Sequence, residues 1–295
     1  AQCAKPRAQT CGTQVPRRPS RSCRGEAEVH RQLDKGKDKI HLCTPERPLQ
    51  AGRLQVRRMG KINRILDFFF PRICPICGGR LSLSEEELCL KCLLDLPRTA
   101  YIQRQEDNFL VGLFQLQVNI RRAVAFMRYL PERPSSGLVK KLKYRNGSSL
   151  AIFMGKLMAE EIIAASPSFF ENVDVIVPIP LTRSRLRHRG YNQTAMIAKG
   201  VSSVTNIPVD ETAVERVSFN VSQTQLSTSE RRENVKKAFR CVRPEKLSGK
   251  HVLLIDDVIT TGSTLLYLAK SIESVAKDVS FSVLTLAATG ETRHI

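Results

Sequence analysis

The stretch that decides the fold is HVLLIDDVITTGSTL, residues His251–Leu265. It joins an apolar run to two adjacent carboxylates, then to a loop of Thr, Gly and Ser residues and the start of a helix. Like charges side by side repel each other and resist burial. We therefore expect Asp256 and Asp257 to follow the strand HVLLI at its exposed tip, where a ligand stabilises them.

The flanking sequence alternates strand-like and helix-like segments, which predicts a parallel sheet with helices on both faces. The strands that we expect are FLVGLFQLQV, AVAFMRYL, VDVIVPIP, a short one around Val214, HVLLI and VSFSVLTLAA. The expected helices span about 137–165 with an irregularity at Gly147, 192–204, a segment starting in STSERRENVKKAF, and 262–275. In such a sheet, ligands bind at the carboxyl ends of the strands.

The loop after the two acids has the composition of a phosphate site. It consists of Thr260, Thr261, Gly262, Ser263 and Thr264, and it leads into a helix whose free N–H groups attract anions. Carboxylates instead accept hydrogen bonds from sugar hydroxyls or hold Mg²⁺. The pattern therefore predicts a sugar phosphate as ligand. The alternative is an ordinary N-capped helix after a strand with an acidic tip.

Arginines crowd a second stretch, VPIPLTRSRLRHRGYNQ. Four of them fall within seven residues, namely Arg183, Arg185, Arg187 and Arg189. Guanidinium groups bind phosphate oxygens in pairs, so we interpret this stretch as an anion site. A solvated or DNA-facing basic surface is the alternative.

Four of the nine cysteines form two CxxC pairs with eleven residues between them. Two such turns supply four thiolates for a tetrahedral metal site. We predict a structural, non-catalytic zinc held by Cys74, Cys77, Cys89 and Cys92. Disulfides and a redox CxxC motif are the alternatives, and disulfides are typical of secreted chains.

The net charge of +19 favours polyanionic partners, and it is unevenly distributed. Residues 1–58 carry 14 basic and 5 acidic residues, lack any hydrophobic period, and are rich in Pro, Gly, Gln, Arg and Ser. We expect them to be a disordered tail or a spurious extension from upstream translation, with a targeting segment or DNA-binding tail as alternatives. No run of 18 apolar residues occurs, so we expect a soluble, cytoplasmic protein without a membrane span.

The stretch VLLIDDVITTGST resembles the 5-phosphoribosyl-1-pyrophosphate (PRPP) signature of type I phosphoribosyltransferases. Four further stretches narrow this resemblance to the ComF family: FFFPRICPICG, VKKLKYRNG, VPIPLTRSRLRHRGYNQ and SQTQLSTSERRENVKKAF. The resemblance covers about residues 62–290. It implies an α/β, parallel-sheet phosphoribosyltransferase (type I) fold over residues 101–290, preceded by a small zinc-binding module of the double zinc ribbon kind over 59–100.

The resemblance also implies roles for individual residues. Asp256 and Asp257 would bind the ribose hydroxyls, and the loop 260–264 would bind the 5′-phosphate. Arg185, Arg189 and Gly190, with Asn192 and Gln193 beside them, match the pyrophosphate-binding loop; we add Arg183 and Arg187 by proximity. A hood loop that closes over substrate would include Gln223, Arg231 and Asn234. Lys140, Lys143 and Tyr144 are candidates for contacting substrate or nucleic acid.

By this resemblance the protein is a glycosyltransferase that uses PRPP and Mg²⁺ for pentosyl transfer. No residue is identifiable as a catalytic base, and the acceptor cannot be read from the sequence. One alternative is a non-catalytic DNA-handling protein, because ComF relatives are linked to uptake of single-stranded DNA in competence beside a helicase. Against it, aromatic residues make up only 6% of the chain, so stacking platforms for bases are not obvious. Another alternative is a PRPP-sensing regulator.

Overall fold

A computed structural model describes residues 71–144, 147–217 and 238–289. Several predictions concern residues outside this part of the chain: the tail over 1–58, the beginning of the zinc-binding module, the helix in STSERRENVKKAF, and the hood residues Gln223, Arg231 and Asn234.

The central sheet confirms the predicted parallel arrangement. Its strands are β1 (Ile120–Arg128), β2 (Val175–Pro178), β5 (His251–Ile259) and β6 (Ser280–Ala288), in the order β1-β6-β5-β2. All three pairings are parallel. The two inner strands are buried almost throughout, which explains why their sequences are nearly continuous apolar runs. A separate antiparallel ribbon pairs β3 (Val214–Arg216) with β4 (Phe239–Cys241).

Seven α-helices occur among the described residues: α1 (Leu90–Leu94), α2 (Phe109–Gly112), α3 (Ser136–Lys141), α4 (Ser148–Ala165), α5 (Arg183–Arg189), α6 (Gln193–Thr205) and α7 (Ser263–Glu273). Short 3-10 helices span Pro167–Phe170 and Pro244–Lys246. Helix α6 packs on β2, β5 and α4. It crosses α4 closely, because a Cβ at Gly155 would lie 2.1 Å from the carbonyl oxygen of Ile197.

The prediction of a first strand over FLVGLFQLQV is wrong. These residues form α2 and a series of turns, because the side chain of Asn108 caps the helix by accepting hydrogen bonds from the N–H groups of Leu110 and Val111. The second expected strand, AVAFMRYL, is confirmed within β1. The long helix predicted over 137–165 is divided into α3 and α4. The division falls near Gly147, where irregularity was expected.

The acid pair also differs from expectation, because Asp256 and Asp257 lie inside β5 rather than beyond its end. Strand β5 continues to Ile259 because β6 still pairs with it there, whereas β2 ends opposite Ile255. The two acids are only 9% and 8% exposed. The prediction that they need not be buried was therefore wrong.

The chain leaving the four cysteines is attached to the outer edge of β1. The N–H of Thr99 donates to the carbonyl of Phe126 at 3.1 Å, and that of Arg128 donates to Pro97 at 2.8 Å. The guanidinium of Arg98 lies 5.2 Å from the centroid of the Phe126 ring and pairs with Glu161 of α4 at 2.6 Å. Backbone pairing and an ion pair thus connect this region to the sheet and to α4.

Candidate phosphoribosyl-binding site and four-cysteine cluster

The two acids lie where β5 has lost its neighbour on one side. Because β2 ends opposite Ile255, the N–H of Asp257 donates instead to Oδ1 of Asp256 at 2.8 Å. The N–H of Val258 similarly donates to Oδ1 of Asp257 at 2.8 Å. The carboxyl of Asp257 nevertheless remains close enough to that of Asp256 to raise its pKa.

Asp257 is connected to the basic segment. Its Oδ2 accepts a hydrogen bond from Nε2 of Gln193 at 3.3 Å, and Oε1 of Gln193 accepts from Nη1 of Arg189 at 2.8 Å. The same Oδ2 lies 3.5 Å from Nζ of Lys143. Of the three candidates in KKLKYRNG, Lys143 is thus the one that the structure places at the acids; Lys140 is exposed.

Asp256 resists ionisation. Burial raises the pKa of its carboxyl well above the ordinary value, and the neighbouring Asp257 raises it further. The cation of Arg216 opposes this shift. Burial in turn lowers the pKa of the Arg216 guanidinium, as does the nearby charge of Arg185. The carboxyl of Asp256 thus favours a ligand that supplies a cation or hydroxyl donors.

The loop over residues 260–264 has an apolar floor. Gly262 adopts φ = 72°, a conformation that side chains disfavour, and it lies against Leu113 and Phe114. A Cβ there would come within 3.0 Å of Cζ of Phe114. Above this floor the hydroxyls of Thr261 and Ser263 lie 2.9 Å apart. Helix α7 begins at Ser263, where the N–H donates to the hydroxyl of Thr261 at 3.5 Å, so hydroxyls and the N-terminus of a helix gather at one position.

The four arginines lie on α5, and helical geometry divides them into two pairs. Positions two residues apart on a helix are about 200° apart around its axis, whereas positions four apart share a side. Arg185 and Arg189 therefore share the side connected to Gln193 and Arg216. Arg183 and Arg187 fall on the opposite side of α5, and of the four arginines only Arg189 is partly buried. The anion site of four arginines stays a prediction.

The short basic helix has clear local boundaries. Thr182 caps its first turn by accepting from the N–H of Arg185 at 3.3 Å. Gly190, with φ = 82°, ends it. Asn192 then caps α6 and donates from Nδ2 to the carbonyl of Ile179 at 3.0 Å, which fixes the segment to the end of β2.

Two residues of the site were not assigned to it from the sequence. Tyr191 was overlooked although it directly follows Gly190. Arg216 was not assigned to the site, because nothing local shows that it lies near Asp256. Only the packing of the ribbon that holds Arg216 brings this cation to the acids.

The four predicted metal ligands come together. The Sγ atoms of Cys74, Cys77, Cys89 and Cys92 all lie within 4.8 Å of one another, and none of the four is in a disulfide. The Sγ atoms of Cys77 and Cys89 are 3.7 Å apart. In a tetrahedral zinc site with Zn–S bonds of about 2.3 Å, neighbouring sulfurs are separated by about 3.8 Å. The cluster therefore fits a metal of this kind.

The thiols differ in how readily they ionise. Burial raises the pKa of Cys74, but N–H donors from Cys89, Cys77 and Ile76 outweigh it and bring that pKa to about 6. Burial and the three neighbouring thiols raise the pKa of Cys92. The pKa of Cys74 is thus lowered whereas the pKa values of Cys89 and Cys92 are raised, which is what a site completed by a cation would show.

Comparison with known protein families shows which class of domain this chain contains. Residues 156–293 match the phosphoribosyl transferase domain family. Together with the parallel sheet and the cysteine cluster, this match confirms an α/β phosphoribosyltransferase fold preceded by a four-cysteine cluster. Among the described residues, no helix is long and apolar enough to span a bilayer.

Relatives then specify the family. The chain is 31% identical over 200 residues to the DNA utilization protein YhgH of Escherichia coli K12, covering 67% of this chain and 82% of that protein. Competence protein F of Haemophilus influenzae is 28% identical over 68% of this chain and 91% of its own length. Competence protein ComFC of Bacillus subtilis is 31% identical over 38% of this chain and 43% of its own length. The chain belongs to the ComF/YhgH family of competence proteins with a phosphoribosyltransferase domain.

Proposed function

We propose that the protein binds PRPP with Mg²⁺ and transfers the phosphoribosyl group to a nucleophilic acceptor. The observation that carries this proposal is the convergence of two sequence-remote parts at the end of β5: the acids with the loop that follows them, and the basic segment. The buried acids, the loop over 260–264 and the basic segment connected through Gln193 supply acceptors for hydroxyls and donors for phosphates.

Each group of PRPP has a counterpart in this arrangement. Asp256 and Asp257 bind the ribose hydroxyls, the loop over 260–264 binds the 5′-phosphate, and Arg185 and Arg189 bind the pyrophosphate. Magnesium is usually held by one or two carboxylates and by substrate phosphates. The acid pair fits this requirement, and the ion supplies neutralisation of the pyrophosphate charge.

The transfer step exchanges one bond at the C1 atom of the ribose. The bond from C1 to the pyrophosphate oxygen breaks, and its electron pair leaves with pyrophosphate. The acceptor nitrogen donates its lone pair to C1 and releases a proton to water. C1 carries positive charge between these events, as in glycoside hydrolysis. The guanidinium groups of Arg185 and Arg189 stabilise the charge that accumulates on the leaving group.

Calorimetric titration of PRPP in the presence of Mg²⁺ tests this proposal. We expect saturable binding to the parent protein and its loss in the Asp256→Asn/Asp257→Asn variant. Asp278→Asn is the matched control, since Asp278 is exposed and its φ of 53° suits asparagine equally well. Absence of binding by the folded parent protein would overturn the proposal. Product formation with candidate acceptors then separates a transferase from a PRPP sensor that uses the same site.

A second candidate function is DNA handling without turnover. Arg183 and Arg187 favour it, because they are exposed and helical geometry places them on the side of α5 opposite Arg185 and Arg189. Two relatives are named for competence and DNA utilization. We expect Arg183→Ala/Arg187→Ala to weaken binding of a single-stranded oligonucleotide and to reduce its salt dependence, with PRPP binding unchanged. Unchanged oligonucleotide affinity would contradict this second function.

A further inference from the structure

Lys143 lies at the acid pair although it belongs to neither the acid motif nor the basic segment. Its Nζ is 3.5 Å from Oδ2 of Asp257, the same oxygen that accepts from Gln193. Under the proposed function, a ribose hydroxyl donates to this carboxylate. A resident cation and an incoming hydroxyl therefore compete for Asp257.

The backbone around Lys143 is held by the basic segment. The hydroxyl of Tyr191 donates to the carbonyl oxygens of Leu142 at 2.5 Å and Tyr144 at 3.0 Å, which flank Lys143 on both sides. Tyr191 follows Gly190, the residue that ends the arginine helix α5. The backbone position of Lys143 is thus tied to the position of the arginines proposed to bind pyrophosphate.

The side chain of Lys143 itself remains free to move. It is 40% exposed, and at 3.5 Å its contact with the buried Asp257 is a long one. A lysine ammonium is a compact charge on a flexible stem, so it can change partners without a change in the backbone. The stem is long enough for the ammonium to leave Asp257 while the Tyr191 contacts persist.

The balance of charge around the acids favours such an exchange. Lys143, Arg185 and Arg216 provide three cations, and Arg189 reaches the site through Gln193. Opposite them stand two carboxyls, one of which resists ionisation. Positive charge therefore exceeds what the acids neutralise, which suits a ligand that brings several negative charges with its hydroxyls.

We propose that Lys143 is a substrate-binding residue that exchanges partners. In the ligand-free protein it neutralises Asp257; when a ribose hydroxyl takes that carboxylate, the ammonium binds an oxygen of the pyrophosphate group. This inference rests on the proposed PRPP site and adds to it a residue from outside both motifs. The ion pair with Asp257 is then the resting position of a ligand-binding cation.

Two ligands that differ in the pyrophosphate group test the exchange. Calorimetry measures the binding of PRPP and of ribose 5-phosphate, each in the presence of Mg²⁺. Both ligands are titrated into the full chain and into its Lys143→Met variant. A charge-assisted hydrogen bond makes a difference of about tenfold to a hundredfold in affinity. We expect Lys143→Met to weaken PRPP binding by this factor. Ribose 5-phosphate should bind equally well or more tightly, because Asp257 has lost its competing cation.

Controls separate the exchange from a structural role. Lys141→Met changes an exposed lysine two residues away and should leave both ligands unaffected. Lys143→Arg retains the charge and should recover part of the PRPP affinity. Thermal unfolding of each variant checks the fold, and Lys143→Gln replaces the methionine variant if that one unfolds.

Three results would overturn the inference. Equal weakening of both ligands by Lys143→Met would show a structural role, and unchanged binding of both would show that Lys143 makes no ligand contact. Either result, obtained with a parent protein that binds PRPP, leaves the proposed function in place. Failure of the parent protein to bind PRPP at all would overturn the proposed function and this inference together.

Discussion

At the scale of single residues, the structure shows how buried polar groups are accommodated in an apolar sheet. His251 begins β5 and is only 4% exposed. Its Nδ1 lies 3.1 Å from the carbonyl oxygen of Asn172, and its Nε2 lies 2.9 Å from the hydroxyl of Ser282. A carbonyl only accepts, so Nδ1 carries the proton and Nε2 accepts from the hydroxyl. The neutral ring therefore satisfies both contacts.

This arrangement predicts a pH dependence of stability. Burial lowers the pKa of His251 to about 4, assisted by the charges of Arg121 and Arg122 and opposed by Asp174. Between about pH 6.5 and 4, the unfolded chain binds a proton that the folded protein does not, so stability falls as the pH falls. Each pKa unit corresponds to about 1.4 kcal/mol, and the loss over this window is roughly 3 kcal/mol.

The measurement is urea unfolding at pH 7, 6, 5 and 4, compared between the parent protein and His251→Gln. The variant lacks the titrating ring, so the contributions of other groups, including Asp256, cancel in the difference. The free energy of unfolding of the parent should fall more steeply towards pH 4 than that of the variant. Parallel pH profiles would show that His251 does not titrate as proposed.

At the scale of secondary-structure elements, the crossing of α4 and α6 determines where the site residues lie. Gly155 and Gly200 meet at the crossing, and a Cβ at Gly200 would lie 2.1 Å from the carbonyl oxygen of Ile152. Helix α6 carries Gln193 at its first turn and packs on β2 and β5. The depth of this crossing therefore influences how Gln193 reaches Asp257.

Gly200→Ala should destabilise the protein by about 3 kcal/mol, because an overpacked contact with backbone atoms can be relieved only if the helices separate. Denaturant unfolding measures the free energy of unfolding. Gly137→Ala is the control: this glycine lies in α3, a Cβ there meets nothing within 4 Å, and alanine is the better helix former. Equal stability of the Gly200→Ala and Gly137→Ala variants would contradict the close crossing.

At the scale of the whole molecule, the four-cysteine cluster and the sheet are physically connected. Arg98 joins them by pairing with Glu161 and stacking on Phe126. The region around the cysteines buries few large apolar side chains of its own, so a metal would supply much of its stability. We propose that this metal is a structural zinc.

Metal analysis should find one zinc per chain in protein purified under reducing conditions. Cys77→Ser should lose most of that zinc and become more sensitive to protease near residues 71–95, since Cys77 is one of four thiolates in the cluster. Cys241→Ser is the matched control, because Cys241 lies in β4 away from the cluster. Equal zinc content in the two variants would contradict a four-cysteine site.

Several features followed from local sequence because their causes are local. The CxxC turns place two sulfurs together within four residues, and the TTGST loop contains its own glycine at the position that needs a positive φ. The apolar runs of β5 and β6 predicted strands of a parallel sheet, and the structure places them at its centre. The family resemblance added the assignment of ligand groups to these motifs.

Other features depended on partners distant in the chain. No local pattern shows that β6 extends β5 past Ile255 and thereby buries the acid pair. The helix after Asn108 was missed for a different reason, because its local N-cap was outweighed by the apolar run that follows it. The helical period of α5 separates two pairs of arginines that composition alone grouped together.

The sequence by itself determined the parallel α/β class, the four-cysteine cluster and the motif of two acids followed by TTGST, because hydrophobic pattern and residue spacing along the chain indicate each of them. Only the tertiary structure decided which cations meet the acids. Lys143 and Arg216 precede Asp257 by more than a hundred residues and by about forty, respectively, and their approach results from the packing of α3, β3 and β5. Such contacts depend on how distant elements pack together, which no local pattern in the chain encodes.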